Sequence, residues 1–164
     1  MNLIYPVKVN PLVILNRYIS EGPDQHLAVD IQNDFHQPVF LMADSIFTEK
    51  GLTKTNANYV MFYIPEFGIY VSYVHTTPLS GLEKDKLIDC GTQQDPVIIG
   101  FSDKSGDTSQ GAHLHLALFE NDGKTHIESF FWMRENGLHH ILETNYKIKL
   151  INKGIDVSKL EWLG

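Results

Sequence analysis

The sequence predicts a mainly β protein, a single-domain antiparallel β-sheet sandwich or open barrel with a groove and few short helices. Three observations predict it. Short runs rich in β-branched and aromatic residues recur along the chain, clusters of Gly, Pro, Asn and Asp separate them, and helical periodicity is scarce. A length of 164 residues suits one domain with a substantial core.

Taken in order, the strand-like runs are "HLAVDI", "QPVFLMADSIFTEKG", "NYVMFYI", "GIYVSYVH", "DPVIIGFS" and "AHLHLALF". "PEFG" (65–68) falls between two of them and reads as a hairpin turn. "SDKSGDTSQG" (102–111) has almost no apolar content and reads as a loop. "LSGLEKDKLIDCG" has room for a short helical turn, and "SFFWMRENGLHHILE" is the best helix candidate. In the tail, alternation at Tyr146, Ile148 and Leu150 predicts a further strand, followed by a short C-terminal helix.

Composition narrows the function classes. A net charge of -7 argues against a nucleic-acid or anionic-membrane surface, both of which favour basic patches. The lone cysteine, Cys90, excludes an intrachain disulfide and a thiolate metal cage, and reads as a small buried hydrophobe. No run is long enough to span a bilayer. The N-terminus lacks a basic start, and its apolar "PLVIL" is shorter than a signal-peptide core, so no signal peptide is expected.

Four of the eight histidines sit in patterned settings. In "GAHLHLALF" strand alternation puts Leu114, Leu116 and Leu118 on one face and His113, His115, Ala117 and Phe119 on the other. Two neighbouring imidazoles on one face are costly to bury unpaired. His26 opens "HLAVD", placing Asp30 four residues on and on the same face of an extended strand. His75 closes "YVSYVH", on the face of Tyr73 if the run stays extended. Two or three imidazoles and one carboxylate from separated segments suit a catalytic zinc, which takes three protein ligands and keeps a position open for water. His36, His126, His139 and His140 read as surface or structural residues.

These stretches, in this order, resemble the lysostaphin-type (LytM-like) zinc endopeptidases, which cleave peptide cross-links of bacterial cell walls. "HLAVDI" resembles the family's H-x-G-x-D-I segment, "QPVFLMADSIF" its following strand pair, and "YVSYVHTTPLS" its Y-x-H-L-S stretch. "IGFSDKSGDTSQGAHLHL" resembles the closing I-G-x-S-G-x-T-G-x-S-x-G-x-H-L-H block and is the most specific signal in the chain. The resemblance covers about residues 20–120. It implies a peptidase core at 20–120, an N-terminal extension at 1–19 and a C-terminal extension at 121–164 packed on the core. It further implies one Zn²⁺ held by His26, Asp30 and His115, with His75 and His113 as non-ligand catalytic residues and peptidoglycan peptides as substrate. Departures are Ala28 for a Gly, Thr76 for a Leu, Asp103 for a loop Gly and Leu116 for a Phe; none removes a ligand.

Two rivals share parts of the pattern. "HLHLALFE" also resembles the first metal motif of cupins, with Glu120 as third ligand, but the second motif is absent. A non-catalytic wall-binding or hydrolase-activating module on the same fold is the other, and the intact set of five residues speaks against it. A wall enzyme without a leader is expected to be phage-encoded, carried on the virion or released at lysis, or else to be a domain excised from a longer chain. The initiating Met favours a complete protein.

Overall fold

The computed structural model describes residues 3–107 and 111–164. Its strands are β1 (Leu12–Asn16), β2 (Val29–Ile31), β3 (Pro38–Phe40), β4 (Ser45–Leu52), β5 (Asn58–Ile64), β6 (Ile69–Val74), β7 (Thr76–Pro78), β8 (Leu87–Ile88), β9 (Ile98–Ser102), β10 (Leu114–Phe119) and β11 (His140–Leu142). Helix α1 (Ser129–Glu135) precedes β11, and α2 (Thr144–Asn152) follows it. An eight-stranded sheet runs β11-β1-β2-β10-β6-β5-β4-β8, and a three-stranded sheet runs β3-β9-β7. The mainly β expectation holds.

One core serves both sheets. Val29 and Ile31 of β2, Leu114, Leu116 and Leu118 of β10, and Val71 and Tyr73 of β6 are buried on the same side of the large sheet. Val39, Phe40 and Ile99 from the small sheet join them, as do Phe130 and Met133 of α1. Each fully buried Leu or Val stabilises the fold by about 1.5–3 kcal/mol relative to exposure. The alternate residues of β2 and β10, Asp30 and His115, are only partly buried and face away from this core. Gly100 lets β7 and β9 approach closely: a Cβ there would lie 2.4 Å from the Thr77 carbonyl oxygen.

Several local expectations change. The sheet is mixed rather than wholly antiparallel, because β1 pairs with β11 in parallel. "LSGLEKDKLIDCG" holds turns and the short β8 in place of a helical turn. The "SFFWMRENGLHHILE" helix stops at Glu135, and its second half supplies β11. Residues 144–152 form α2 where alternation predicted a strand. The Glu143 side chain caps it by accepting from the Asn145 and Tyr146 amides, and Leu150, four residues beyond Tyr146, is buried. The short C-terminal helix is a 3-10 turn at Val157–Lys159.

Candidate metal centre

Two central strands build the site. In the antiparallel ladder His115 of β10 stands opposite Asp30 of β2, and on its other side opposite Val74 of β6. Asp30 also faces Asn16 of β1 across a bulge. His26 lies outside β2, separated from it by a bend at 27–28, yet its Nε2 comes within 3.2 Å of Asp30 Oδ2. His115 Nδ1 is 2.9 Å and His113 Nε2 is 3.4 Å from Asp30 Oδ1. One carboxylate thus meets three imidazoles.

His75 arrives by a different route. Strict alternation from Tyr73, whose ring is fully buried in the core, would send His75 into the core as well. Instead His75 adopts φ +58°, in the left-handed region that costs a non-glycine residue on the order of 1 kcal/mol or more. The chain there passes from the large sheet to the small one. The His75 amide still donates to the Asn58 carbonyl, while its carbonyl accepts from Asp103 beside β9. The left-handed residue reverses the side-chain direction, and the ring centre lies 4.5 Å from that of His113 in a tilted contact and 6.0 Å from that of His115 edge-on. The expectation that His75 shares the Tyr73 face is therefore corrected.

Backbone carbonyls fix three of the rings. His26 Nδ1 donates to the Arg17 carbonyl at 3.1 Å, His75 Nδ1 to that of Ser105 at 2.7 Å, and His113 Nδ1 to that of Gly111 at 3.1 Å. A carbonyl only accepts, so each Nδ1 carries a proton and each neutral ring turns its Nε2 lone pair inward. Metal-binding histidines are typically oriented by such a bond on the other nitrogen.

The lone pairs of His26 and His113 then confront the Asp30 oxygens. Acceptor against acceptor at 3.2 and 3.4 Å is repulsive unless a positive charge stands between them. A proton on Nε2 supplies it. Burial opposes charge on Asp30, but hydrogen bonds from His113, His115 and His26 outweigh it and hold the carboxyl far below the usual range. Burial likewise opposes charge on His26 and His113, and the Asp30 carboxylate overrides it, raising both. His75 is pushed down by burial and by its neighbour His113.

A divalent cation fits the same demand. Donor atoms of His26, Asp30 and His115 lie within 4.8 Å of one another, as do those of His75, His113 and His115. Tetrahedral ligation with bonds near 2.1 Å separates donors by about 3.4 Å, the scale of the contacts seen here. The histidine cluster is consistent with a zinc site.

A loop that composition alone marked as polar supports His75. Asp103 is buried and accepts from Asn58 Nδ2 at 2.9 Å, Thr77 Oγ1 at 2.8 Å and the Ser105 amide at 2.9 Å, and also from the Ser105 hydroxyl. Burial opposes its charge, yet these donors, Ser105 first, hold its pKa below the ordinary value. Gly106, at φ +110°, lies against the His75 ring: a Cβ there would be 3.3 Å from Cε1. Asp103 registered in the sequence only as a departure from a loop glycine.

An open cavity of about 500 Å³ covers the cluster, walled by Thr53, Thr55 and Ala57 from the β4–β5 connection. Gly111 lines a neighbouring cavity, residues 108–110 lie outside the described ones, and of the β6 tyrosines Tyr73 is in the core and Tyr70 packs on Tyr63. Glu120, the ligand a cupin would use, lies beyond β10, exposed, and belongs to no metal-ligand group among the described residues.

No family profile and no curated protein matches the sequence. Solved structures do. Lysostaphin from Staphylococcus simulans superposes with a TM-score of 0.63 at 18% identity, over 82% of this chain and 55% of that one. A zinc-containing peptidase from Vibrio cholerae gives 0.61 at 14% identity, over 79% of this chain and 39% of that one. The catalytic domain of the prophage-encoded M23 protein EnpA from Enterococcus faecalis, in a point-mutant form, gives 0.57 at 18%, over 73% and 90%. The chain has the M23 peptidase fold. It spans well under two thirds of the Vibrio cholerae peptidase and of lysostaphin, and nearly all of the EnpA domain. In the M23 fold seen here, the histidine cluster occupies the exposed face of the central strands, opposite the core. No helix among the described residues is long and apolar enough to cross a membrane.

Proposed function

We propose that this protein is a zinc-dependent endopeptidase that hydrolyses peptide cross-links of bacterial peptidoglycan. The observation that carries the reading is the meeting of Asp30 with three imidazoles, two of which turn Nε2 toward its oxygens with Nδ1 committed to a backbone carbonyl. His26, Asp30 and His115 would hold the metal, one carboxylate and two imidazoles leaving a position open to the cavity. Bound there, zinc supplies Lewis acidity, lowering the pKa of a water toward 7 and polarising a carbonyl.

The chain's own residues supply the proton chemistry. His75 and His113 stand side by side with Nδ1 committed to backbone carbonyls, so their Nε2 atoms are the ones available to the cleft. One accepts the proton of the attacking water and one delivers a proton to the departing amine, as general base and general acid. The open cleft suits a peptide held in extended form.

Incubation with purified peptidoglycan of several cross-link types, with and without a chelator, tests the reading. New amino and carboxyl peptide ends that vanish with chelator are expected by mass spectrometry. New amino-sugar reducing ends, or no digestion of any wall type, would overturn it.

A further inference from the structure

A second cavity, of about 570 Å³, opens beside the histidine cluster and meets the first at Asn16, Asp30 and His113. Its far wall is one face of α2: Tyr146, Lys149, Leu150 and Lys153 follow the i, i+3, i+4, i+7 spacing of a helical stripe. Arg17, just past β1, completes the lining on the near side. Three of the chain's 13 basic residues therefore gather at one cavity of a protein that carries 20 acidic ones. Only Asp24 and Asp30 oppose them there. Asp30 is engaged by the imidazoles, and Asp24 pairs with Lys153 at 3.0 Å. Lys149 and Arg17 form no ion pair among the described residues; Asp24 acts on Lys149 and Glu128 on Arg17 only at longer range, and the cavity lining itself carries three cations against two carboxylates.

We propose that this cavity is a carboxylate-binding subsite, which selects peptides bearing a free carboxylate next to the amide that is cut. The selection of a cut amide rests on the peptidase reading; the binding of a carboxylate does not. Lys149 is the principal donor. Lys153, held by Asp24, borders the same space, and Tyr146 fixes the wall by accepting from the Arg17 amide at 3.1 Å through its hydroxyl. Charge-assisted hydrogen bonds of this kind are stronger than neutral ones, and because Lys149 and Lys153 are exposed they are screened by salt. Tyr146, Lys149 and the C-cap Lys153 all lie in the C-terminal 44 residues, beyond the stretch that carries the sequence resemblance.

The test uses stem peptides in two matched forms, with free carboxylates and with those carboxylates converted to carboxamides. Uncross-linked peptides are titrated by calorimetry, and cross-linked dimers are assayed for cleavage, on the unmodified protein and on Lys149→Gln. The carboxylate form should bind roughly three- to tenfold more tightly, with a preference that fades as salt rises and disappears in Lys149→Gln. Equal affinity for both forms overturns the subsite, and dimer cleavage in that case leaves the peptidase reading standing. A salt-sensitive, Lys149-dependent preference without cleavage of either dimer supports the subsite and sinks the peptidase reading.

Discussion

His26 illustrates how much one hydrogen bond decides. Because its Nδ1 proton is spent on the Arg17 carbonyl, Nε2 meets Asp30 either as a protonated donor or as a metal ligand. Its pKa, lowered by burial but raised further by Asp30, lies above the ordinary 6.5. Zinc must displace that proton, so affinity rises with pH through and above 6.5, by up to about tenfold per unit for each proton released. Calorimetry in buffers of different ionisation enthalpy should show proton release at pH 6.5; pH-independent affinity with none released would contradict the assignment. The residue types here were legible in the sequence, as was the pairing of His26 with Asp30. His75's orientation was not, since it depends on the sign of one φ angle that histidine does not encode.

At the scale of the element, the 103–106 loop is the piece whose purpose sequence left open. Its four polar contacts converge on one buried carboxylate, and its Ser105 carbonyl fixes the His75 tautomer. Asp103→Ala leaves Asn58, Thr77 and Ser105 donors without a partner and should cost roughly 2–4 kcal/mol by denaturant unfolding. Turnover should fall with it, while zinc binding stays intact. A variant as stable and active as the parent would remove the loop from the account. Helix α2 shows the opposite limit of legibility. The apolar residues at 146, 148 and 150 satisfy a period of two, but Ile148 is 51% exposed and the buried Leu150 pairs with Tyr146 at helical spacing. Periodicity over five residues cannot separate those readings. The cap itself, Glu143, is not one of the Ser, Thr, Asp or Asn residues that mark a helix start in a sequence, so the boundary was not legible either.

Across the whole molecule, the strands of the central sheet were readable as runs, whereas their spatial order was not. Antiparallel neighbours β5 and β6 announce themselves through the turn at 65–68, but the parallel β1–β11 pair joins residues some 130 apart in sequence. That distant pairing buries His140 completely beside Phe130, with no hydrogen-bond partner for either ring nitrogen among the described residues. Burial, aided by Arg134, pushes its pKa down to about 4. The unfolded chain therefore takes up this proton first. Stability falls as pH drops from 6.5 toward 4, by about 3 kcal/mol from this group alone, and the contribution levels off below. His140→Leu should flatten that part of the pH–stability curve in thermal unfolding; an unchanged slope would place the acid sensitivity elsewhere.

The convergence of the 26–30, 75 and 113–115 segments on one point is the claim from which the proposed chemistry follows. Zinc titration of the metal-stripped protein and of two single variants tests it most directly. The account predicts one zinc per chain, lost in His115→Ala and retained in His113→Ala. Zinc held fully by His115→Ala, or not taken up by the unmodified protein at micromolar concentration, would contradict it.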